Sequence, residues 1–342
     1  MAAMKLIRFG IAVLMLALLS PWCLAQTRGI SMEAREPVVE DDLGLGTYRA
    51  LIIGNNRYHD KKKRWQPLQT AIAGANAMKQ LLESRYAFTD ITLVENGSRR
   101  DILFALGELT RKVQPNDNVL LYYAGHGYLD DETGQGYWVP VDALGSDSTT
   151  FIRNSTVRDE LNLIASKAKH TLLIADSCFS GSLLRTGVRS APPDTGVERY
   201  YQKVAAKKSV QIIAAGGVEF VDDNYKDSGQ SPFTYFLLNE LNYNDKPVIT
   251  VSELSANVEK AVANNTEQVP ESGVLHGAGD ELGEFIFLNV DVRVTGVPKE
   301  NVKVNVNVIT DEHATPPPEA LPAVAPAAPP KKRPVVAPVP ML

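Results

Sequence analysis

LLIADSCFSG, residues 172–181, is an apolar run that stops at Asp176-Ser177-Cys178 and turns on Gly181. A short apolar run bounded by turn residues reads as a strand buried on both faces of a parallel sheet. In open α/β sheets the loops just beyond the carboxyl ends of the strands are where ligands bind and chemistry happens, so Cys178 sits where such a loop is expected. A second run of the same kind, VLLYYAGHG at 119–127, ends on Gly125-His126-Gly127. Two strand ends therefore offer a thiol and an imidazole to the same edge of one sheet.

Moving outward, strand and helix patterns alternate. Tyr48 to Ile53 is a short apolar strand ending in Gly54-Asn55-Asn56, and Leu68, Ile72, Ala75, Met78, Leu81 and Leu82 then recur at helical spacing. Ile91 to Val94 is the second strand, and Ser98 with Asp101 three residues on begins a helix carrying Ile102, Leu103, Leu106 and Leu109. Val119 to Tyr123 is the third strand. Tyr137-Trp138-Val139-Pro140-Val141 suggests an edge or hairpin element, because a proline cannot donate to a central ladder. Thr156 and Asp159 repeat the capping signal ahead of Leu161 and Ile164, and Thr171 to Ala175 is the fourth strand. Residues 182–208 read as a long polar loop. Val210 to Ala215 is the fifth strand, followed by helices from about Pro232 to Leu241 and from Thr250, and a last strand at Glu284 to Leu288. Repeated βα units of this length imply a mainly parallel sheet covered on both faces.

The flanks have different compositions. Lys5 and Arg8, the apolar run from Phe9 to Leu19, and Cys23-Leu24-Ala25 before Gln26 have the form of a secretory signal cleaved after Ala25. The run is short for a bilayer span, which disfavours an uncleaved anchor, and Trp22 is bulky where a lipoprotein signal wants a small residue. The expected compartment is outside the cytoplasm, most simply a bacterial periplasm, with no stable membrane span once the signal is removed. Residues 26–46 read as a linker, 47–290 as the folded domain, and 291–314 as a short extension in which VKVNVNV alternates at period two. Residues 315–342 are rich in Pro and Ala and cannot build a core. This tail could reach a partner or the cell wall through Lys331-Lys332-Arg333, or be a plain disordered segment.

Net charge is −5 over 342 residues with a pI near 5.7, which gives no basic field for nucleic acid. The one local basic run, Lys61-Lys62-Lys63-Arg64, falls between the first strand and first helix and reads as a solvated loop. With Cys23 in the leader, the mature chain carries one thiol and no intramolecular disulfide. A lone free thiol in an oxidising compartment calls for an explanation, and nucleophilic chemistry is one.

His126 precedes Cys178 by 52 residues, the length that one helix and one hairpin require. An imidazole beside a thiol can take its proton, giving a thiolate far more nucleophilic than an unaided cysteine near neutral pH. Gly127 and the Ser177-Cys178 turn leave backbone N–H groups free to face a developing oxyanion. Acyl transfer is the chemistry this pattern suits. His170 begins a strand at the opposite sheet edge, while His59, His276 and His313 lie in loops or the tail. A phosphate-binding cysteine loop fails because its arginine would be needed at 184, which is Leu. A zinc site fails for want of a second cysteine or a close histidine pair.

These residues resemble the caspase and metacaspase-like cysteine peptidases over roughly Thr47 to Asn289: YRALIIGNNRY, YYAGHG, WVPVD, ADSCFSG, QIIAAG, SPFTYFLLNEL and GEFIFLN. The resemblance implies a caspase-like three-layer α/β sandwich around a mainly parallel six-stranded sheet. It implies His126 as base, Cys178 as nucleophile, the N–H groups of Gly127 and Cys178 as the oxyanion hole, and a peptide or protein substrate. It also implies a pocket for a basic side chain between two carboxylates, one two residues before the nucleophile, here Asp176, the other on the first helix. The second position falls on Gly74, and Ala71 and Ala124 make the expected pocket smaller and less polar. Asp176 alternatively serves the turn by accepting hydrogen bonds. No cofactor and no bound metal are expected, with activation by calcium the open alternative: some metacaspases place calcium partly after the nucleophile, whereas Phe179 to Pro193 here contains no acidic residue. The 182–208 loop carries Arg185, Arg189, Arg199, Lys203, Lys207 and Lys208, a site for self-processing if basic residues are cut, or an ordinary exposed loop. The leading expectation is a secreted cysteine endopeptidase. The alternative is a catalytically weak caspase-like scaffold that binds peptides or partners.

Overall fold

A computed structural model describes residues 43–60, 64–145, 147–178, 183–185, 198–216, 223–275, 278–290 and 305–310. The leader, nearly all of the 26–46 linker, the Pro/Ala tail, His276 and His313 lie outside the described residues. Among the described residues no helix is long and apolar enough to cross a membrane.

Strands β1 (Tyr48–Gly54), β2 (Phe88–Glu95), β3 (Asn118–Ala124), β7 (His170–Asp176), β9 (Ser209–Ala214) and β11 (Glu271–Leu275) form the body of one sheet. β13 (Asn305–Thr310) and β8 (Leu184–Arg185) extend it at its two edges, giving the order β13-β2-β1-β3-β7-β9-β11-β8. Every neighbour from β13 through β9 is parallel, whereas β11 is antiparallel to β9, and β8 is antiparallel to β11. The expected mainly parallel sheet is present, with one substitution of parts. Its sixth body strand is β11, whereas Ile286–Leu288 (β12) pairs with Val248–Thr250 (β10) in a separate two-stranded sheet. The segment ESGVL begins with polar residues, which hid β11 from a search for apolar runs.

Parallel strands joined by crossovers need helices on both faces, and the side chains divide accordingly. Ala50, Ile52, Leu120, Tyr122, Leu172 and Ile174 face α1 (Ala71–Arg85), α5 (Pro232–Asn242) and α6 (Val251–Ala263). Leu51, Ile53, Leu121, Tyr123, Leu173 and Ala175 face α2 (Arg99–Lys112) and α3 (Asn154–Lys167). This alternation along each strand gives the three layers. Both expected capping boxes form, Ser98 with Asp101 on α2 and Thr250 with Glu253 on α6. The Thr156 signal does not, because α3 already begins at Asn154 and Thr156 lies within its first turn. The 182–208 segment is also more structured than a loop. Its end forms α4 (Glu198–Ala205), which buries Tyr201 and Ala205 in the same core layer as α5 and α6.

Between β3 and α3 lies a three-stranded sheet of β4 (Gly127–Asp130), β5 (Gln135–Trp138) and β6 (Ile152–Arg153). Pro140 falls just past β5, as its missing donor requires. Tyr137, Val139, Ala143 and Phe151 form a small core here with Tyr58, Trp65 and Tyr128 against it.

Candidate active site

The parallel ladder between β3 and β7 ends with Ala124 opposite Asp176. It is prolonged by a hydrogen bond from Gly125 N–H to the Asp176 carbonyl, at 3.3 Å. His126 and Cys178 each lie two residues beyond that last pair. They line one cavity of about 250 Å³, together with Arg64, Trp65, Gln66, Thr70, Ala71, Ala124, Gly127, Asp176, Asp223 and Ser231. Cys178 takes part in no disulfide and is partly accessible.

Gly127 is required by the approach of these two loops. A Cβ there would fall 2.0 Å from the carbonyl oxygen of Cys178, far inside contact distance. Its absence lets the His126 loop lie directly on the backbone of the Cys178 turn.

His126 is fixed at its backbone and at its ring. Its N–H donates to the Tyr58 hydroxyl at 2.8 Å. Its carbonyl accepts from Val139 N–H at 3.0 Å and from the Tyr123 hydroxyl at 2.9 Å. Tyr123 in turn stacks on Trp138 at 4.1 Å. The imidazole packs against Tyr58 and Trp65, with ring centroids 4.6 and 5.6 Å away. Its Nε2 lies 2.7 Å from the carbonyl oxygen of Gln66. A carbonyl can only accept, so the neutral ring carries its proton on Nε2 and leaves Nδ1 as the open acceptor. Burial pushes the His126 pKa below its ordinary value, against the opposing pull of the Gln66 carbonyl and the Asp223 charge. An imidazole held neutral with a free Nδ1 is equipped to accept a proton.

Asp176 is buried beneath the cavity. Its Oδ2 accepts hydroxyl hydrogens from Ser231 at 2.5 Å and Thr234 at 2.6 Å, whereas its buried Oδ1 has no hydrogen-bond partner among the described residues. Desolvation pushes its carboxyl up to about 6, partly offset by those two hydroxyls, and the Asp223 charge pushes in the same upward direction. The turn backbone is the alternative partner for Asp176; among the described residues it makes no hydrogen bond to this carboxylate, and residues 179–182 lie outside them. Ala124 lines the cavity as expected. Gly74 does not: a Cβ at that position would lie 3.0 Å from Thr234 Cγ2 and 3.3 Å from the Tyr122 hydroxyl. Position 74 therefore backs onto the Thr234 side chain that supports Asp176.

Arg64, read as part of a solvated run, lines the cavity, with its guanidinium over the rings of Trp65 and Tyr128 at 5.9 and 5.8 Å. Five other residues escaped the sequence reading: Tyr58, Gln66, Asp223, Ser231 and Thr234. Tyr58, Ser231 and Thr234 lie within YRALIIGNNRY and SPFTYFLLNEL, yet nothing local distinguishes them from core or cap residues. Gln66 acts through its backbone, which no side-chain pattern encodes. His170 is buried at the amino end of β7, bonded through Nδ1 to Ser209 and through Nε2 to the Ala205 carbonyl, and takes no part in the cavity. Among the described residues, no cluster of three or more His, Cys, Asp or Glu side chains could hold a metal ion.

A family model of the caspase domain matches residues 47–274. The chain is similar to Metacaspase-1 of Eremothecium gossypii, 29% identical over 160 residues that cover 41% of this chain and 33% of that protein. It is also similar to Metacaspase-1 of Cryptococcus neoformans, 24% identical over 185 residues, 46% of this chain and 38% of the relative. It thus spans little more than a third of the curated relatives it matches. Among solved structures it is similar to Caspase-1 from Spodoptera frugiperda, with 16% identity and a TM-score of 0.46 over 70% of this chain and 95% of that one.

Proposed function

The chain belongs to the caspase-domain family, and on that premise we propose that it is a secreted cysteine endopeptidase whose His126 and Cys178 act as a dyad, cutting after Arg or Lys. The observation that carries the dyad is the shared rung: Ala124 opposite Asp176 sets His126 and Cys178 at equal distance past adjoining strand ends, in one cavity.

In this reading Nδ1 of His126 takes the Cys178 proton and Sγ attacks the scissile carbonyl carbon. The carbonyl π pair moves onto oxygen, facing the N–H groups of Gly127 and Cys178. As the tetrahedral adduct collapses, the C–N bond breaks and the imidazolium gives its proton to the departing amine. A water molecule, deprotonated by the same Nδ1, then attacks the thioester and releases Cys178. The Gln66 carbonyl supports both protonation states, because Nε2–H donates to it throughout. For the residue before the scissile bond, support comes from Asp176, whose unpartnered Oδ1 has an acceptor to offer and no donor to meet it. The leader with Lys5, Arg8 and Phe9 to Leu19 supports export.

The test is cleavage of a peptide library under reducing conditions, with and without calcium, beside Cys178→Ala. Removal of the nucleophile is expected to cut turnover by at least about 10³-fold, since mutual activation of thiol and imidazole disappears. Turnover unchanged in Cys178→Ala overturns the dyad. Well-folded wild-type protein that cleaves nothing transfers the reading to a peptide-binding scaffold.

A further inference from the structure

The cavity that holds His126 and Cys178 is bipolar. Asp176 and Asp223 line it with carboxylates, and Arg64 is the one Lys or Arg side chain among its described lining residues. Among the described residues the Arg64 guanidinium makes no ion pair, with those two carboxylates or with any other. It lies instead over the rings of Trp65 and Tyr128, at 5.9 and 5.8 Å.

The shelf beneath the guanidinium is fixed without it. Trp65 Nε1–H donates to the Gly145 carbonyl at 3.0 Å, and the indole meets Phe151 and Tyr128 edge-on, with ring centroids 5.5 and 6.0 Å away. The backbone N–H of Arg64 donates to Asp60 Oδ2 at 2.8 Å, which sets where its side chain starts. Residue 64 is exposed, so filling a core does not account for the long side chain. Stacking engages the face of a guanidinium and leaves the N–H donors in its plane free. The result is a pre-oriented cation, and the group that fits its open edge is a carboxylate, gripped by paired N–H donors.

The place of this cation relative to the chemistry follows from His126, on which Trp65 packs at 5.6 Å. In the proposed reaction the imidazolium hands its proton to the departing amine, so the half of the substrate that follows the scissile bond lies on the imidazole's side. The half that precedes the bond lies over Asp176. A substrate chain leaving past the imidazole runs along Trp65 and comes to Arg64. We propose, on the peptidase reading above, that Arg64 held on Trp65 and Tyr128 is a specificity-determining subsite for a carboxylate on the leaving-group side of the scissile bond. That carboxylate belongs to an Asp or Glu within the first two residues after the bond, or to the terminus of a peptide that ends there.

The test uses the full chain and peptides built on the best-cleaved sequence of the library. They are paired as Glu or Gln at the first or second position after the bond, and as free acid or amide where the peptide ends at those positions. Wild-type kcat/KM is expected to favour the carboxylate member of at least one pair by about fivefold or more, the upper end for one ion pair at a partly exposed site. Arg64→Gln brings that ratio to about one, Arg64→Lys keeps part of it, and raising the ionic strength from about 0.05 to about 0.5 M lowers it. A preference confined to the Glu and Gln pairs supports a side-chain carboxylate, and one confined to the acid and amide pairs supports a chain terminus. Wild-type ratios near one in every pair, or a preference that Arg64→Gln retains, overturn the proposal while sparing the peptidase reading. If no peptide is cut the peptidase reading fails, and calorimetric binding of the same pairs to Cys178→Ala reads the subsite by itself. About fivefold tighter binding of the carboxylate member, lost in Arg64→Gln, supports the subsite, and equal or absent binding overturns it. Thermal unfolding establishes that each variant is folded, and Arg64→Lys with the salt dependence carries the test if Arg64→Gln is not.

Discussion

The two edges of the central sheet treat charge in opposite ways. At the amino ends of the strands, Arg49 bonds to both Asp90 and Asp117, with Lys112 near Asp90, and His170 is satisfied on both ring nitrogens. At the carboxyl ends, Asp176 keeps one oxygen unpartnered beside Asp223. Both edges are built from the same strands, so burial alone does not separate them. The charged groups of the amino edge close on one another, although Asn118 Oδ1 and Thr171 Oγ1 there are buried without a partner among the described residues, whereas at the carboxyl edge it is a carboxylate oxygen that is left open. That asymmetry is what distinguishes a structural charge cluster from a site.

The sharpest way to break the comparison is Asp176→Asn. It is expected to cost roughly 100-fold in kcat/KM toward basic peptides, the scale of a lost charged contact, and yet to stabilise the fold. An acid whose pKa rises from 3.8 in the unfolded chain to about 6 in the folded one takes up its proton more readily when folded. Its ionisation therefore weakens the fold, fully above pH 6, and this cost disappears as pH falls toward 3.8. Melting curves should show Asp176→Asn stabilised at pH 8 by on the order of 2 kcal/mol and little changed at pH 4. A destabilised variant at pH 8 would remove the idea that this edge carries uncompensated charge.

Arg49→Ala tests the other edge. It leaves Asp90 and the nearly buried Asp117 without their shared cation and should cost about 2–3 kcal/mol by urea unfolding, with kcat on peptides unaffected. His170→Gln sharpens the contrast through pH. Burial lowers the His170 pKa from 6.5 to about 4, so between those values the unfolded chain binds a proton that the folded one refuses. Stability is then complete above pH 6.5 and lost as pH falls, the reverse of Asp176. The variant should flatten that acid limb in melts from pH 7 to 4, and an unchanged slope would sink the assignment. The smallest expected effect is Tyr58→Phe, which leaves His126 N–H without its acceptor while keeping the ring packing. About a tenfold loss in kcat, with KM nearly constant, would mark Tyr58 as a positioning residue. A wild-type rate would show that Val139 and Tyr123 suffice.

Most of the sheet was legible because parallel strands buried on both faces are apolar throughout, as Leu172 to Ala175 and Val119 to Tyr123 are. Two capping boxes were legible because the capping signal is local. What escaped was decided at long range. Ile286–Leu288 has the pattern of a sheet strand, but its partner is set by the placement of β10. Asp223 and Gln66 come near Asp176 and His126 only through the fold, and neither is marked by its neighbours in sequence. At Gly74 the sequence disclosed a missing side chain, whereas only packing discloses that Thr234 fills the space.

Strand β13 pairs in parallel with β2 over Asn305–Thr310, from Asp90 to Glu95 on its partner. β2 would otherwise be the outermost strand of a largely apolar parallel sheet, with a row of backbone donors and acceptors turned outward. Such an edge is a template on which a second copy can add a strand. The segment after the matched domain thus lies as a selvedge along that edge: trimming the chain at Val290 is expected to remove β13 while keeping His126 and Cys178, and to expose the β2 edge to self-association.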